Sequence, residues 1–310
     1  MAPPLALGID IGGTRLRVAL VDRAGTLVAR REVRTAAQAG PAAVVEQIHV
    51  LAAELMAGLA PGSLAGAGVS SPGPLDTVSG IALGVPTLAG WVDVPIRLML
   101  SDALGLPVVI ENDGIAAAHG EWRFGAGRGL RSLVYVTVST GVGGGVVVDG
   151  RLLHGRRGMA GHVGHMTIIA DGTQCPCGNR GCFEAYGSGT AFAGRIAAEA
   201  PQLGISPDTG PAEILALARS GDASALRLVA EHGDYLGIGF ASLLHLYSPE
   251  AIVVGGGLGS GLDLLLPAIA ARMQRSAMPA FRDVPVIGAG LGENSGLVGA
   301  AALAFTPDPG

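Results

Sequence analysis

The chain contains no lysine: all 20 of its cationic residues are arginine. A P-loop needs a lysine for the β- and γ-phosphates, so that class of nucleotide enzymes is excluded. Schiff-base catalysis and the lysine-dependent chemistry of protein kinases are excluded with it. Glycine is abundant, at 51 of 310 residues, yet it never recurs at i, i+2 and i+5, which removes the simple dinucleotide fingerprint. Charge is scarce too, at 15% of residues with a net of −5, so no basic surface for nucleic acid is expected. Long apolar runs are missing. Stretches such as Leu133–Val138 and Ala251–Val254 fall well short of the ~20 residues a membrane span requires. The N-terminus shows no basic segment or cleavage site, because Leu5–Ile9 already reads as a strand, and a cytoplasmic placement is expected.

Cysteine is absent everywhere except between positions 175 and 182, where Cys175, Cys177 and Cys182 crowd together. With His165 upstream they make one Cys₃His set, the donor shape of a closed structural Zn²⁺ site. Pro176, Gly178 and Gly181 allow the tight folding that brings three sulfurs together. Three buried thiols are the bland alternative, but scattered core cysteines would not leave the rest of the chain empty. A disulfide would leave one thiol over. A closed site has no open coordination position, so the metal is expected to shape a loop rather than perform chemistry.

The opening reads as strand (Ala6–Ile11), glycine turn, strand (Leu16–Val21), turn, strand, then a helix over Pro41–Leu59 with apolar residues at helical spacing. Further strands are predicted at Ala65–Ser70 and Leu106–Ile110, and a helix at Ile115–Arg123. Then the pattern repeats: strand Leu133–Val138, glycine turn Ser139–Gly145, returning strand Val146–Val148, and a two-residue Asp149-Gly150 hairpin turn. Duplication of one hairpin-plus-helix unit is the simplest reading. A long helix over Ala223–Tyr247, a strand at Ala251–Val254 and a closing helix near Gly296–Phe305 complete the α/β pattern. A small lobe of residues 1–113 plus the C-terminal helix at about 294–310 is expected beside a large lobe of 114–293, the latter carrying the zinc loop 165–184.

Three glycine turns invite phosphate. Asp10-Ile11-Gly12-Gly13-Thr14 combines exposed amides with a carboxylate able to hold Mg²⁺, directly or through water. Ser139–Gly144 repeats the turn without the carboxylate, and Gly255-Gly256-Gly257 opens a helix start. Any one of them alone reads as a tight hairpin; three, two of them duplicated, favour a nucleotide held between the halves. Glu111-Asn112-Asp113 ends a buried strand and is the candidate acid–base group, with a helix N-cap as its structural alternative. An ionised Asp113 could accept a hydroxyl proton as that hydroxyl attacks phosphorus.

In order and spacing, Asp10–Thr14, Glu111–Asp113, Ser139–Gly145, Gly161–His165, Cys175–Glu184 and Gly255–Gly257 resemble the ROK family. The family comprises sugar kinases and sugar-responsive repressors on the two-lobed actin/hexokinase-like (ribonuclease H-like) ATPase fold. The resemblance covers nearly the whole chain, and its CxCGxxGCxE element is highly specific. It implies an ATP- and Mg²⁺-dependent kinase acting on a sugar 6-hydroxyl, with Asp113 as general base. Gly12, Gly13, Thr14, Thr140 and Gly141 would line the phosphates, and Gly256 and Gly257 the adenosine. Asn112, Glu184 and His165 would meet the sugar, His165 also being the fourth zinc ligand, while Gly73 and the loop near Trp91 close the sugar pocket. A homodimer is the family habit.

Two departures bear on the sugar. The usual Glu-x-Gly-His reads His162-Val163-Gly164-His165, and the asparagine common before the Trp loop is Thr87. A carboxylate only accepts hydrogen bonds, whereas a neutral imidazole also donates one, for example to an amide carbonyl. The His-x-Gly-His form resembles bacterial N-acetylmannosamine kinases. A glucokinase with a tolerated variant is the alternative, and His162 as another zinc ligand is a lesser one. The repressors of the family carry a helix-turn-helix ahead of the first strand; only a short segment precedes it here, so that reading ranks low.

Overall fold

The computed structural model describes residues 4–305. The chain packs into two compact units. The first comprises the chain up to Gly129, the segment Arg151–Gly161 and the chain from Glu293 onward; the second comprises Leu130–Gly150 and His162–Gly292.

In the first unit, β1 (Leu5–Ile11), β2 (Arg15–Val21) and β3 (Leu27–Arg34) form an antiparallel meander, and β4 (Leu64–Ser71) and β7 (Val108–Asn112) add on parallel beside β1. A small hairpin of β5 (Leu75–Asp76) and β6 (Ile81–Ala82) lies outside that sheet. Helix α1 (Pro41–Met56) starts with its proline in the first turn, where no amide is needed, and buries Val44, Ile48, Leu51, Ala52 and Leu55. Helix α2 (Ile96–Leu104) ends on Gly105, whose φ of 64° is the left-handed cap that glycine adopts freely.

Helix α3 (Asp113–Phe124) packs along α9 (Ser295–Leu303), and contact is close enough that only glycine fits. A methyl on Gly299 would sit 1.7 Å from the Ala116 carbonyl oxygen. Because of this packing the first unit runs to Gly129 rather than stopping at the expected 113. The expected C-terminal part, residues 306–310, lies outside the described residues.

The second unit opens as the first does. β8 (Leu133–Val138) and β9 (Val142–Val148) make an antiparallel hairpin, and β11 (Ala251–Gly255) and β12 (Val286–Gly288) add on parallel beside β8. The intervening β10 (Arg151–Leu152) belongs to the first unit. Asp149 and Gly150 both take positive φ, as the predicted hairpin turn demands. The glycine turn is shorter than expected: strand resumes at Val142, and Gly144 lies within β9, where a methyl would meet the Tyr135 carbonyl at 2.3 Å. Helices α4 (Glu184–Gly187), α5 (Gly189–Leu203), α6 (Pro211–Arg219), α7 (Ala223–Tyr247) and α8 (Leu262–Ser276) complete the unit, with α7 lying along α8. Among the described residues no helix is long and apolar enough to cross a membrane.

Candidate active site

In the first unit, strand register collects the polar groups. Arg17 pairs across from Asp10, Ser70 flanks Asp10 on the other side, and Glu111 lies beyond Ser70. Paired positions project to the same face, so Arg17, Asp10, Ser70 and Glu111 form one row across the sheet. Ser70 donates its hydroxyl to Asp10 Oδ1 at 2.8 Å, and Arg17 Nη2 meets Asp10 Oδ2 at 2.6 Å. Arg17 also donates through Nη1 to the Glu293 carbonyl at 2.7 Å. Asp10 is thus a paired, buried carboxylate at the edge of the Gly12-Gly13-Thr14 turn. That turn is closed by Gly12 N–H on the Arg15 carbonyl and tied to Thr35, whose hydroxyl donates to the Gly12 carbonyl at 2.7 Å.

Asn112 and Asp113 begin α3. The Asn112 side chain accepts from Gly114 N–H at 3.0 Å as the N-cap, and Asp113 Oδ1 shares that donor at 2.8 Å. Asn112 is therefore the helix cap, and Asp113 is carried at the helix start with exposed surface. Although solvent reaches the Asp113 carboxyl, the protein packed around it strips much of its hydration. That desolvation pushes its pKa up to about 6, against the Gly114 hydrogen bond and with the negative charge of Asp10. Gly73 precedes Pro74 in a cis peptide, and Trp91 is buried in the core, where it anchors its loop rather than presenting its ring.

In the second unit the Ser139-Thr140-Gly141 turn is held by the start of α5. Gly189 N–H donates to the Ser139 carbonyl at 2.7 Å, and the Thr190 hydroxyl to the Thr140 carbonyl at 2.8 Å. Glu184 Oε2 accepts from Val142 N–H at 3.0 Å, and its other oxygen lies 3.8 Å from Cys175 Sγ. One carboxylate therefore touches both the glycine turn and the cysteine loop. Gly256 follows β11 with φ 84°, pressed on the Val138 carbonyl, so any side chain there would collide.

The cysteine loop closes on itself. The ligand atoms of His165, Cys175, Cys177 and Cys182 lie within 4.8 Å of one another. Cys177 and Cys182 sulfurs are 3.6 Å apart, and Cys175 Sγ is 3.8 Å from His165 Nδ1. Tetrahedral zinc with ~2.3 Å bonds separates neighbouring sulfurs by ~3.8 Å, so the donor set fits that ion. Burial pushes the Cys175 thiol up to about 12 and raises Cys182, whereas the Asn179 amide lowers Cys177. Asn179 Nδ2 also donates to Cys182 Sγ at 3.3 Å. Phe183, fully buried, stacks edge-on against Phe240 and pins the loop to α7. His162 stands outside the four-donor cluster, its ring 6.3 Å from that of His165, and burial lowers its pKa so that it is neutral near pH 7.

The residues expected from sequence thus divide by unit: Asp10, Gly12, Gly13, Thr14, Gly73, Asn112 and Asp113 in the first, and Thr140, Gly141, His162, His165, Glu184, Gly256, Gly257 and the cysteines in the second. Arg17, Ser70 and Thr35 were not anticipated. A hairpin turn of Gly12-Gly13-Thr14 sets Asp10 opposite Arg17, so the first pair was open to counting; the parallel neighbour Ser70 was not.

A duplicated hairpin-led α/β unit with glycine turns and a Cys₃His loop defines a class, and the chain belongs to it: the ROK family profile matches residues 6–306. The chain is 35% identical to the glucokinase of Halalkalibacterium halodurans, over 94% of this chain and 92% of that protein. It is 34% identical to the N-acetylmannosamine kinase of Yersinia pestis, over 97% of this chain and 98% of that protein. Among solved structures, the ROK family glucokinase of Streptomyces griseus in complex with glucose and AMPPNP matches with a TM-score of 0.84. Identity there is 34%, covering 96% of this chain and 98% of that one.

Proposed function

We propose that this ROK-family sugar kinase transfers the γ-phosphoryl group of ATP to the 6-hydroxyl of a hexose, with N-acetylmannosamine preferred. Sugar kinases are what its relatives are, and a glucokinase and an N-acetylmannosamine kinase match it almost equally. The use of ATP is supported by the AMPPNP held by the glucokinase neighbour.

Asp113 is the general base. It needs to be ionised to take the hydroxyl proton, and with a pKa of about 6 it is mostly so at pH 7 while remaining a far better base than a free aspartate. Phosphoryl transfer asks little covalent work of the protein, so the remaining residues position and neutralise. The amides of Gly13 and Thr14, and of Thr140 and Gly141, line the phosphates, with Gly12, whose own N–H closes the turn, leaving space beside them; Gly256 and Gly257 leave room for the adenosine. Each Asp10 oxygen already accepts one hydrogen bond and retains a lone pair. With Arg17 offsetting its charge, Asp10 suits a water of hydrated Mg²⁺ better than the ion itself. Magnesium when bound neutralises phosphate charge. His165, Cys175, Cys177 and Cys182 would hold Zn²⁺, which would fix the loop that carries Glu184 and His165 so that both side chains are presented to the sugar. Asn112 contributes its remaining amide hydrogens, and Gly73 leaves space for the sugar ring.

The preference for an N-acylated sugar rests on His162. A neutral imidazole there supplies a donor for an amide carbonyl, where a glutamate would only accept from hydroxyls. A coupled ADP-release assay across N-acetylmannosamine, N-acetylglucosamine, mannose, glucose and allose tests this. The highest kcat/KM is expected for N-acetylmannosamine; a higher value for glucose makes the chain a glucokinase with a variant motif.

A further inference from the structure

Glu111 has no role in the chemistry above, yet it is buried and fully engaged. Only 3% of its surface is exposed. Its Oε1 accepts the N–H of Asn112 at 2.8 Å, and its Oε2 lies 2.9 Å from Nε2 of His154. That distance places the hydrogen on Nε2 as donor. His154 comes from the segment Arg151–Gly161, which belongs to the same unit as Glu111 although it is remote in sequence. The segment is fastened there by Thr77 N–H on the Arg157 carbonyl at 3.0 Å and by Arg157 beside Asp76 at 3.5 Å. A turn closed by Ala160 N–H on the His154 carbonyl, at 2.9 Å, fixes the backbone that carries the imidazole.

From this geometry we infer that His154 is a positioning residue for phosphoryl transfer, acting through Glu111 on the backbone that presents Asp113. The inference rests on the reading of Asp113 as the base. The chain of contacts is continuous. His154 fixes one Glu111 oxygen, which orients the other onto the Asn112 amide. Asn112 in turn caps Gly114, and the same Gly114 N–H binds Asp113 Oδ1. A buried carboxylate held by a single backbone donor can turn about its terminal torsion; a second donor from another segment removes that freedom. Losing the imidazole also leaves a buried acceptor without its side-chain donor, an imbalance the strand end relieves by shifting. Proton transfer is sensitive to such sub-ångström shifts, whereas nucleotide binding is not.

The side chain of His154 is 42% exposed, so its replacement is compatible with folding. The test compares His154→Ala, His154→Gln, Glu111→Gln, the double variant His154→Ala/Glu111→Gln, and Asp113→Ala, all as the full zinc-loaded chain with Mg-ATP and the best hexose of the panel. Expected for His154→Ala is a fall in kcat of about 10–100-fold with KM for ATP unchanged and the protein fully folded at the assay temperature. His154→Gln, which offers an N–H donor, is expected to restore most of the rate. The double variant is expected to be no slower than the slower single variant, because both act on one path. Wild-type kcat in His154→Ala overturns the inference. So do a Gln variant as slow as the Ala variant, losses that multiply in the double variant, and a rate loss that merely follows a lowered melting temperature. The Asp113→Ala arm separates the two claims. Turnover surviving there removes the base assignment whatever His154 does; a dead Asp113→Ala beside a normal His154→Ala removes only the positioning role.

Discussion

Asp113 opens a helix and, as the proposed base, would also take a proton. Its Oδ1 is engaged by Gly114 N–H, which leaves the second oxygen for substrate. Replacing it with alanine is expected to lower kcat roughly 10²–10⁴-fold while sugar binding, followed by calorimetry, persists. If only KM rises, Asp113 positions the sugar and does not take the proton. The pH profile follows from the desolvated carboxyl. A base with a pKa raised to about 6 is silenced as pH falls through 6, so kcat/KM is expected to drop tenfold per unit below that and stay level above it. A limb near pH 4, as for an unperturbed aspartate, contradicts the assignment. The place of Asp113 after a strand was legible, and functional groups gather at strand ends in α/β sheets. Its raised pKa was not legible, since it comes from protein packed around it and from Asp10 more than a hundred positions away in sequence.

At the scale of elements, the cysteine loop is the part best specified by sequence. All four donors lie within one short stretch, so nearest-neighbour geometry suffices to bring them together. Cys177→Ser is expected to lose zinc by metal analysis and to raise KM for sugar, because Glu184 and His165 then lose their tether, with KM for ATP little changed. Retained zinc and an unaltered sugar KM refute that role. Helix α9 illustrates the opposite case. Its run of small residues has no polar stripe from which to read an orientation, and only its neighbours explain it. Gly299 faces the Ala116 carbonyl, and a methyl on Gly68 would lie 1.7 Å from the Ala300 carbonyl. Gly299→Ala is expected to destabilise by ~1–3 kcal/mol or more, since backbone must move to admit one methyl. A melting temperature equal to wild type shows that α3 and α9 separate freely. Helix α2 is not predicted from the sequence, although Ile96, Leu100 and Leu104 are spaced for one face and Gly105 marks its end. Its shortness, between an irregular segment and a strand, concealed it.

For the whole molecule, the family resemblance makes a homodimer of the 30.9 kDa chain the expectation to test. The second unit also exposes Leu246 and Met278, close together because His245 Nε2 accepts from Met278 N–H at 3.1 Å. Light scattering is expected to return twice the chain mass, and Leu246→Glu/Met278→Glu to reduce it; a monomer in the parent protein removes this expectation.

The duplicated hairpins, the clustering of the cysteines, the place of Asp113 after a strand and the absence of lysine were all determined by the sequence alone, because each rests on local spacing or on composition. Periodicity of 2 or 3.6 residues, and glycine where the chain must turn, are properties of neighbours. Tertiary structure alone decided what surrounds those features. It set Arg17 and Ser70 on Asp10, turned Glu184 to both the glycine turn and Cys175, and brought His154 onto Glu111. Such contacts join segments far apart in the chain, and strand register and close packing, rather than any local pattern, choose which side chains meet.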